Sequence, residues 1–365
     1  MRKRVYIVYT GGTIGMQPTA DGYAPVPGYL AAQLATMPEM CDAAMPDYTI
    51  HEYDPLLDSA NMMPADWFKI AEDIAAHYDE YDGFIILHGT DTMAYTASAL
   101  PFMLQGLGKP IILTGSQLPL CEVRNDAREN LITVMLIAAN YPIPEVCLYF
   151  GDKLLRGCRA VKVNAVGFDA FDSPNYPPLG TVGIHIDVHW ENILPPPSPG
   201  PLTVQLLGAA HVSTLRLFPG MHPDIIANAL RPPLQGLVLE TYGVGNGPVT
   251  NGAFMAALED AVARGVVIVD CTQCLKGMVD LQGYATGSAL AKIGVVSGYD
   301  MTVEAALAKL FYLFSREAAA GSAVIKQQMQ MNLRGELTQQ TSNQQPVTSN
   351  QQPVTSNQQP ATSNQ

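Results

Sequence analysis

The chain lacks what a membrane protein or a nucleic-acid binder needs. No run of about 18 apolar residues occurs, so nothing in it reads as a bilayer-crossing helix. Only 20 lysines and arginines stand against 33 acids, a formal net charge of −13. Phosphate binding needs clustered cations, which disfavours nucleic acid and anionic membrane as partners. Between Arg4 and Thr10 lie five apolar residues, too few for a signal-peptide core, so the expected location is the cytoplasm. Six cysteines in 365 residues make no disulfide scaffold. Cys271-Thr272-Gln273-Cys274 has neither a second CxxC nor a thioredoxin-like setting, and reads as two loop thiols after a buried strand. Two fingerprints are also missing. There is no Gly-x-Ser-x-Gly elbow, and the dinucleotide pattern near the N-terminus has Thr10 where its first glycine should be. Neither a cofactor nor a metal is expected.

What the chain does have is 48% hydrophobic residues, enough at this length for two buried domains. Arg4-Val5-Tyr6-Ile7-Val8-Tyr9 is a β-branched and aromatic run ending in glycines, a buried strand. Residues 48–53, 83–87, 110–113 and 146–150 read as further strands, with helical spacing of apolar residues from Pro64, over 95–107 and over 125–140. Strands alternating with helices, apolar throughout, predict a parallel sheet covered on both faces. The Pro- and Gly-rich stretch 16–29 reads as a mobile loop, and Arg159–Val163 as a hairpin or sheet extension. Five prolines in the seven residues from Pro195 to Pro201 make a stiff connection. The expected fold is therefore α/β with two doubly wound domains: a larger N-terminal sheet carrying the chemistry (1–190), a Pro-rich linker (191–205) and a smaller parallel sheet (206–337). Residues 338–365 carry no charge and nearly repeat a heptad, Thr-Ser-Asn-Gln-Gln-Pro-Val. With nothing to bury, they are expected to be a disordered tail.

The polar residues gather at strand ends, and ligands of open α/β sheets bind beyond those ends. Thr13 follows the first strand between glycines, Asp58 and Ser59 follow the second, Thr90 and Asp91 the third, and Thr114 and Ser116 the fourth. Taken singly, each reads as a turn or cap residue, and Asp91 or Thr92 would cap the next helix. Converging on one sheet edge, they suit a small zwitterion: carboxylates for an ammonium, hydroxyls and glycine-exposed N–H groups for a carboxylate or oxyanion. A hydroxyl nucleophile needs a base. His88 lies in the right turn, but a histidine there is more often structural. A lysine with depressed pKa is the other common solution, and composition does not single one out.

Thr10-Gly11-Gly12-Thr13-Ile14-Gly15 and His88-Gly89-Thr90-Asp91-Thr92, each at a strand end, together resemble the paired signatures of the bacterial asparaginase/glutaminase family. Asp58-Ser59, Thr114-Gly115-Ser116-Gln117, Tyr242-Gly243-Val244-Gly245-Asn246 and Gly283-Tyr284-Ala285-Thr286-Gly287 extend the resemblance over residues 1 to about 338, nearest to the cytoplasmic type I L-asparaginases. The resemblance implies hydrolysis of L-asparagine to L-aspartate and ammonia through a threonine acyl-enzyme, by a homodimer or homotetramer. It implies Thr13 as nucleophile, with Tyr23 on the loop closing over it. Thr90, Lys162 and Asp91 would form a second constellation, in which Lys162 handles protons and Asp91 also receives the α-ammonium. Asp58 and Ser59 would hold the α-amino and α-carboxylate ends, with Ser116 also binding substrate. Asn246 would either reach a neighbour's site or serve as a turn residue. One tension is inherent: a lysine accepts a proton only if burial lowers its pKa, whereas an adjacent Asp91 favours its charged form.

Type I members can carry a second, regulatory asparagine site in which an arginine and a threonine take part. Glu240 and Val161 look like the matching positions, and a carboxylate there would repel an effector's carboxylate. Two rival readings stand beside the hydrolase. An amidotransferase subunit passing ammonia to a tRNA-charging partner shares these motifs, but usually carries an extra N-terminal module, whereas this chain starts at the first strand. A non-enzymatic amino-acid- or nucleotide-binding protein on the same fold is the other, and the set Thr13, Thr90, Asp91 and Lys162 argues against it.

Overall fold

The computed structural model describes residues 2–20, 22–317 and 321–338. Its first segment builds an eight-stranded sheet from β1 (Arg4–Gly11), β2 (Asp47–Leu57), β3 (Gly83–Leu87), β4 (Ile111–Thr114), β5 (Val146–Phe150), β6 (Lys153–Arg156), β7 (Gly180–Val182) and β8 (Ile186–Val188). In space they run β2-β1-β3-β4-β5-β6-β7-β8. The pairs from β2 to β5 are parallel, as the apolar runs predict, and those from β5 to β8 are antiparallel. The antiparallel extension is illegible beforehand because β7 and β8 are three residues each, too short for a periodicity to show.

Four helices serve the parallel strands: α1 (Tyr29–Thr36), α2 (Pro64–Ala76), α3 (Met93–Met103) and α4 (Ala127–Asn140). Side chains alternate along β1. Val5, Ile7 and Tyr9 pack with α1 and α4, while Tyr6 and Val8 pack on the other face with α2 and α3. Because β1 lies between β2 and β3, the chain reverses its direction across the sheet there. The loop after β1 leaves toward one face and the loop after β3 toward the other, which opens a crevice at their carboxyl ends.

From β4 to β5 the chain keeps moving the same way across the sheet, yet α4 lies on the face opposite α2 and α3. That crossover therefore has the opposite hand to the three before it, against a strong general preference. Its effect is local: residues 115–126 pass over the carboxyl edge, where the Leu120 N–H donates to the Ile14 carbonyl at 3.2 Å. Where the sequence indicates a mobile loop at 16–29, the chain forms a hairpin, Met16–Thr19 against Gly22–Pro25. A two-stranded ribbon tolerates Pro18 and Pro25 because no third strand needs their missing N–H groups.

The second sheet runs β9 (Val212–Arg216), β10 (Gly236–Thr241), β11 (Val267–Thr272), β12 (Val296–Ser297), all parallel and in chain order. Helices α5 (Pro223–Ala229), α6 (Gly252–Ala263) and α7 (Ala285–Lys292) cover one face, and α8 (Val303–Arg316) and α9 (Ser322–Met329) the other. Strands in sequential order have no point of reversal, so a crevice of that kind belongs to the first sheet. Cys271 continues the β11 ladder opposite Glu240 and is buried, so the expected pair of loop thiols is one strand thiol and one exposed loop thiol, Cys274.

The α8 face merges with the α2–α3 layer in one core. Phe102 stacks on Tyr312 with centroids 5.4 Å apart, and Trp67 meets Phe311 edge-on at 6.4 Å. Ion pairs reinforce this joint: Arg159 with Asp300 at 3.0 Å, and Lys309 with Glu336 at 2.6 Å, the latter pair fully buried. Arg159 also donates to the Thr338 hydroxyl at 2.7 Å. Thr338 is thus anchored rather than free, and the remainder of the expected tail lies outside the described residues. Lys309→Met would strand a buried carboxylate and leave the Met329 and Met331 carbonyls without their donor. Unfolding free energy in urea should fall by about 3–5 kcal/mol; a loss below about 1 kcal/mol would show that the pair contributes little to the joint.

Candidate active site

The turns that follow β1 and β3 touch because glycines leave room for them. A Cβ on Gly12, whose φ is 92°, would sit 2.5 Å from the Gly89 nitrogen, and one on Gly89 would sit 2.4 Å from the Ser59 hydroxyl oxygen. Neither position admits a side chain. The turn bearing Thr13, the turn bearing Thr90 and Asp91, and the turn bearing Asp58 and Ser59 are thereby held together at the crevice.

Thr13 opens a short 3-10 turn, Thr13–Gly15, against which the second strand of the hairpin packs. Tyr23 lies on that strand, half exposed, and its hydroxyl donates to the Glu122 carboxylate, a bond that pushes the phenol above its ordinary range. Asp58 accepts the Ala60 N–H at 3.0 Å and so caps the turn Ser59–Asn61. Ser59 is buried, and its carbonyl accepts the Thr92 hydroxyl at 2.7 Å. The sequence predicts Asp91 or Thr92 as the cap of α3, but that helix starts without a side-chain cap: the Thr92 hydroxyl is diverted to the neighbouring turn. Ser116 is buried beside this edge, and among the described residues its hydroxyl has no hydrogen-bond partner.

Lys162 arrives from the two-residue ladder Val161–Lys162 against Phe171–Asp172. Its Nζ donates to the Thr90 hydroxyl at 2.9 Å and to the Asp91 carboxylate at 2.8 Å. Asp91 is 66% exposed, so this ion pair is worth little as stabilisation. What it does is place an amine, a hydroxyl and a carboxylate in one hydrogen-bonded group. Two residues in contact with this set escape a reading of the sequence. Glu122 lies 99 positions from its partner Tyr23. Gln117, whose Oε1 accepts the Thr90 hydroxyl at 3.3 Å, stands inside a motif where Ser116, as a hydroxyl, attracts the attention.

His88 supplies no base. Its Nδ1 lies 2.7 Å from the Gly89 carbonyl and its Nε2 2.8 Å from the Thr96 hydroxyl. The carbonyl only accepts, so Nδ1 carries the proton and Nε2 accepts from threonine. Burial lowers its pKa to about 4, which keeps it neutral near pH 7.

Residues 4–194 match the asparaginase N-terminal family model and residues 211–329 the glutaminase/asparaginase C-terminal domain. The chain belongs to the asparaginase family. It is 54% identical over 340 residues to L-asparaginase 1 of Escherichia coli K12, which covers 92% of this chain and 98% of that protein. The crystal structure of L-asparaginase I from Vibrio cholerae superposes with a TM-score of 0.85 at 51% identity, covering 93% of this chain and 100% of the other. A glutamyl-tRNA(Gln) amidotransferase component from Methanopyrus kandleri is 31% identical, over 91% of this chain and 74% of its own length.

Within this asparaginase-family fold, the buried His88 makes stability depend on pH with a definite sign. Below about 6.5 the unfolded chain takes up a proton that the folded chain refuses until about 4. The contribution is whole above the unfolded pKa and is lost as pH falls through this window. The difference in unfolding free energy between the parent and His88→Gln should narrow by about 3 kcal/mol from pH 7 to pH 4. A constant difference would mean that the histidine titrates alike in both states.

Proposed function

We propose that the chain hydrolyses L-asparagine to L-aspartate and ammonia, the activity named in its 54%-identical relative, L-asparaginase 1. The observation that carries the reading is the Lys162 amine shared by Thr90 and Asp91, whose own turn packs through Gly89 on the Thr13 turn where the first sheet reverses. In this reading the Thr13 hydroxyl attacks the side-chain amide carbon. Its proton leaves with the amide nitrogen as ammonia, and an ester to Thr13 remains. Water then cleaves the ester, its proton passing by way of Thr90 and Lys162, and the Thr13 hydroxyl is restored. Asp58 and Asp91 face the α-ammonium; Ser59 and Ser116 serve the α-carboxylate; Tyr23 closes the site from the hairpin. No cofactor takes part.

We further propose a homodimer or homotetramer in the cytoplasm, its second domain set against a neighbour's crevice. Asn246 stands in the loop after β10, with its side-chain oxygen accepting the Thr286 hydroxyl. Glu240 and Val161 line one cavity of about 260 Å³ that also reaches Lys162. Glu240 pairs there with the largely exposed Arg216 at 3.3 Å, a contact that solvent screens, and accepts the Thr214 hydroxyl at 3.1 Å. Burial and the nearby Glu240 push the Glu304 carboxyl up in the same cavity. A second amino acid would bring its carboxylate toward these acids, so we read the cavity as unfit for an asparagine effector.

Purified protein given L-asparagine should release ammonia with no partner present. No release alone but release with a tRNA-charging partner would favour the amidotransferase reading, and binding without release would favour a binding protein. Thr13→Ala should lose several orders of magnitude in kcat while still binding aspartate. Lys162→Arg should be nearly as damaged as Lys162→Met, because a guanidinium keeps the charge but cannot become a neutral base. Robust turnover in the arginine variant would reduce Lys162 to electrostatics.

The rate against asparagine concentration should be hyperbolic, with a Hill coefficient near one, on a sample that light scattering shows to hold two or four chains. A sigmoidal curve would show an effector site built in spite of Glu240, and a monomer of full activity would sink the proposed assembly.

A further inference from the structure

Two short legs join the hairpin that carries Tyr23 to the sheet, and neighbouring side chains of β1 and β2 meet both of them. The first leg leaves β1 through the turn Thr13–Gly15. The Tyr9 hydroxyl lies so close to Gly15 that no side chain fits there. The second leg runs from Pro25 to Gly28, where α1 takes over. At its end the Gly28 N–H donates to Glu52 Oε1 at 2.7 Å. Tyr9 and Glu52 are direct partners in the β1–β2 register. Both ends of the hairpin therefore stand side by side on adjacent strands.

Glu52 breaks the pattern of its own strand. Tyr48 and Ile50, which share its face of β2, pack on the side of the sheet covered by α1 and α4. An apolar residue would continue that row, and packing gives no reason for a carboxylate. Its Oε2 is buried without a hydrogen-bond partner among the described residues, and so is the Tyr9 hydroxyl. Burial, and after it the Glu52 carboxylate, push the Tyr9 phenol above its ordinary range. Keeping polar atoms buried and unpaired costs stability, so an acid in this place calls for a role. The bond that Glu52 does make, to Gly28, supplies one.

We propose that Glu52 is a positioning residue for catalysis: by holding Gly28 it fixes the second leg of the hairpin, so that Tyr23 meets the Thr13 turn in one place. This rests on the reading of Tyr23 as the residue that closes the site. Glu122 holds Tyr23 only at its hydroxyl, on the exposed surface, where water competes for the bond. Glu52 holds the backbone from which Tyr23 projects. With that leg released, the hairpin pivots on its first leg and Tyr23 lies over the crevice only part of the time. The anchor of a closing segment, when lost, alters kcat and KM together.

Glu52→Met removes the acceptor and keeps the length, whereas Glu52→Gln keeps an oxygen for Gly28 and removes the charge. In the methionine variant kcat/KM for asparagine should fall about 10–100-fold, the loss that misplacement from a site remote from the chemistry produces. In the glutamine variant it should stay near the parental value. Chymotrypsin should cut after Tyr23 faster in the methionine variant than in the parent, as read by mass spectrometry. In a Tyr23→Phe background the same Glu52→Met change should cost almost nothing further, because residues that act through one another are not additive. Should the methionine variant fail to fold, Glu52→Asp, which keeps the charge but draws the oxygens back, is read in its place. Parental kcat/KM in the variant read overturns the proposal. So does a glutamine variant as damaged as that variant, since the acceptor would then not be what matters. An undiminished loss in the Tyr23→Phe background overturns it as well, being the mark of a merely structural role. Tyr23→Phe alone separates the two levels of inference. If it keeps full turnover, the reading of Tyr23 falls and the proposal with it; if it is impaired while Glu52→Met is not, only the role of Glu52 falls.

Discussion

The rest of the structure depends on one contact without side chains, the approach of Gly12 to Gly89. A methyl group on Gly12 would sit 2.5 Å from the Gly89 nitrogen, so any other residue would push the β1 and β3 turns apart. The topology supplies the opportunity, since these are the strands between which the chain reverses across the sheet. The glycines then turn adjacency into contact. Thr13 and the Thr90–Asp91 pair lie on opposite sides of that contact, with Ser59 closing in on Gly89 from the next turn.

The reversed hand of the β4–β5 crossover acts on the same edge. Had α4 followed α2 and α3 onto their face, residues 115–126 would have had no reason to cross over the Thr13 turn. As built, Leu120 bonds to Ile14, Glu122 receives the Tyr23 hydroxyl, and Gln117 reaches Thr90. An uncommon connection and an unusually well-bonded loop therefore belong together. Asp126 accepts the N–H groups of Gln117 and Leu118 just before α4 begins, so the start of the helix and the shape of the loop are set by one carboxylate.

The second sheet joins the first through α8, with aromatic stacking at Phe102 and Tyr312 and a fully buried Lys309–Glu336 pair. Buried ion pairs of this kind are costly to break but confer little net stability over an apolar joint. Their value lies in geometry. Arg159, three residues before Lys162, is held by Asp300 and Thr338, so the segment that delivers the lysine is braced by the second domain and by the end of the described chain.

By itself the sequence determined whatever depends on local pattern. Continuous apolar runs at 83–87 and 146–150 became buried strands, the first parallel to both neighbours and the second parallel to β4, because burial on both faces leaves no room for polar alternation. The strand-end positions of Thr13, Ser59 and Thr90 followed from those runs, and the paired glycine signatures identified the family. Tertiary structure alone decided whatever depends on partners distant in the chain. Thr92 lost its capping role to the Ser59 carbonyl, 33 residues away, and Lys162 met Thr90 across 72. The hairpin at 16–25, read as a loop from its prolines and glycines, forms because a free ribbon does not need every N–H. Gln117 could not be told from any polar turn residue until the fold set a lone hydroxyl before its oxygen and a carbonyl before its nitrogen. Local spacing says which side chains leave the backbone at a strand end; only the packing of one turn against another says what each of them will touch.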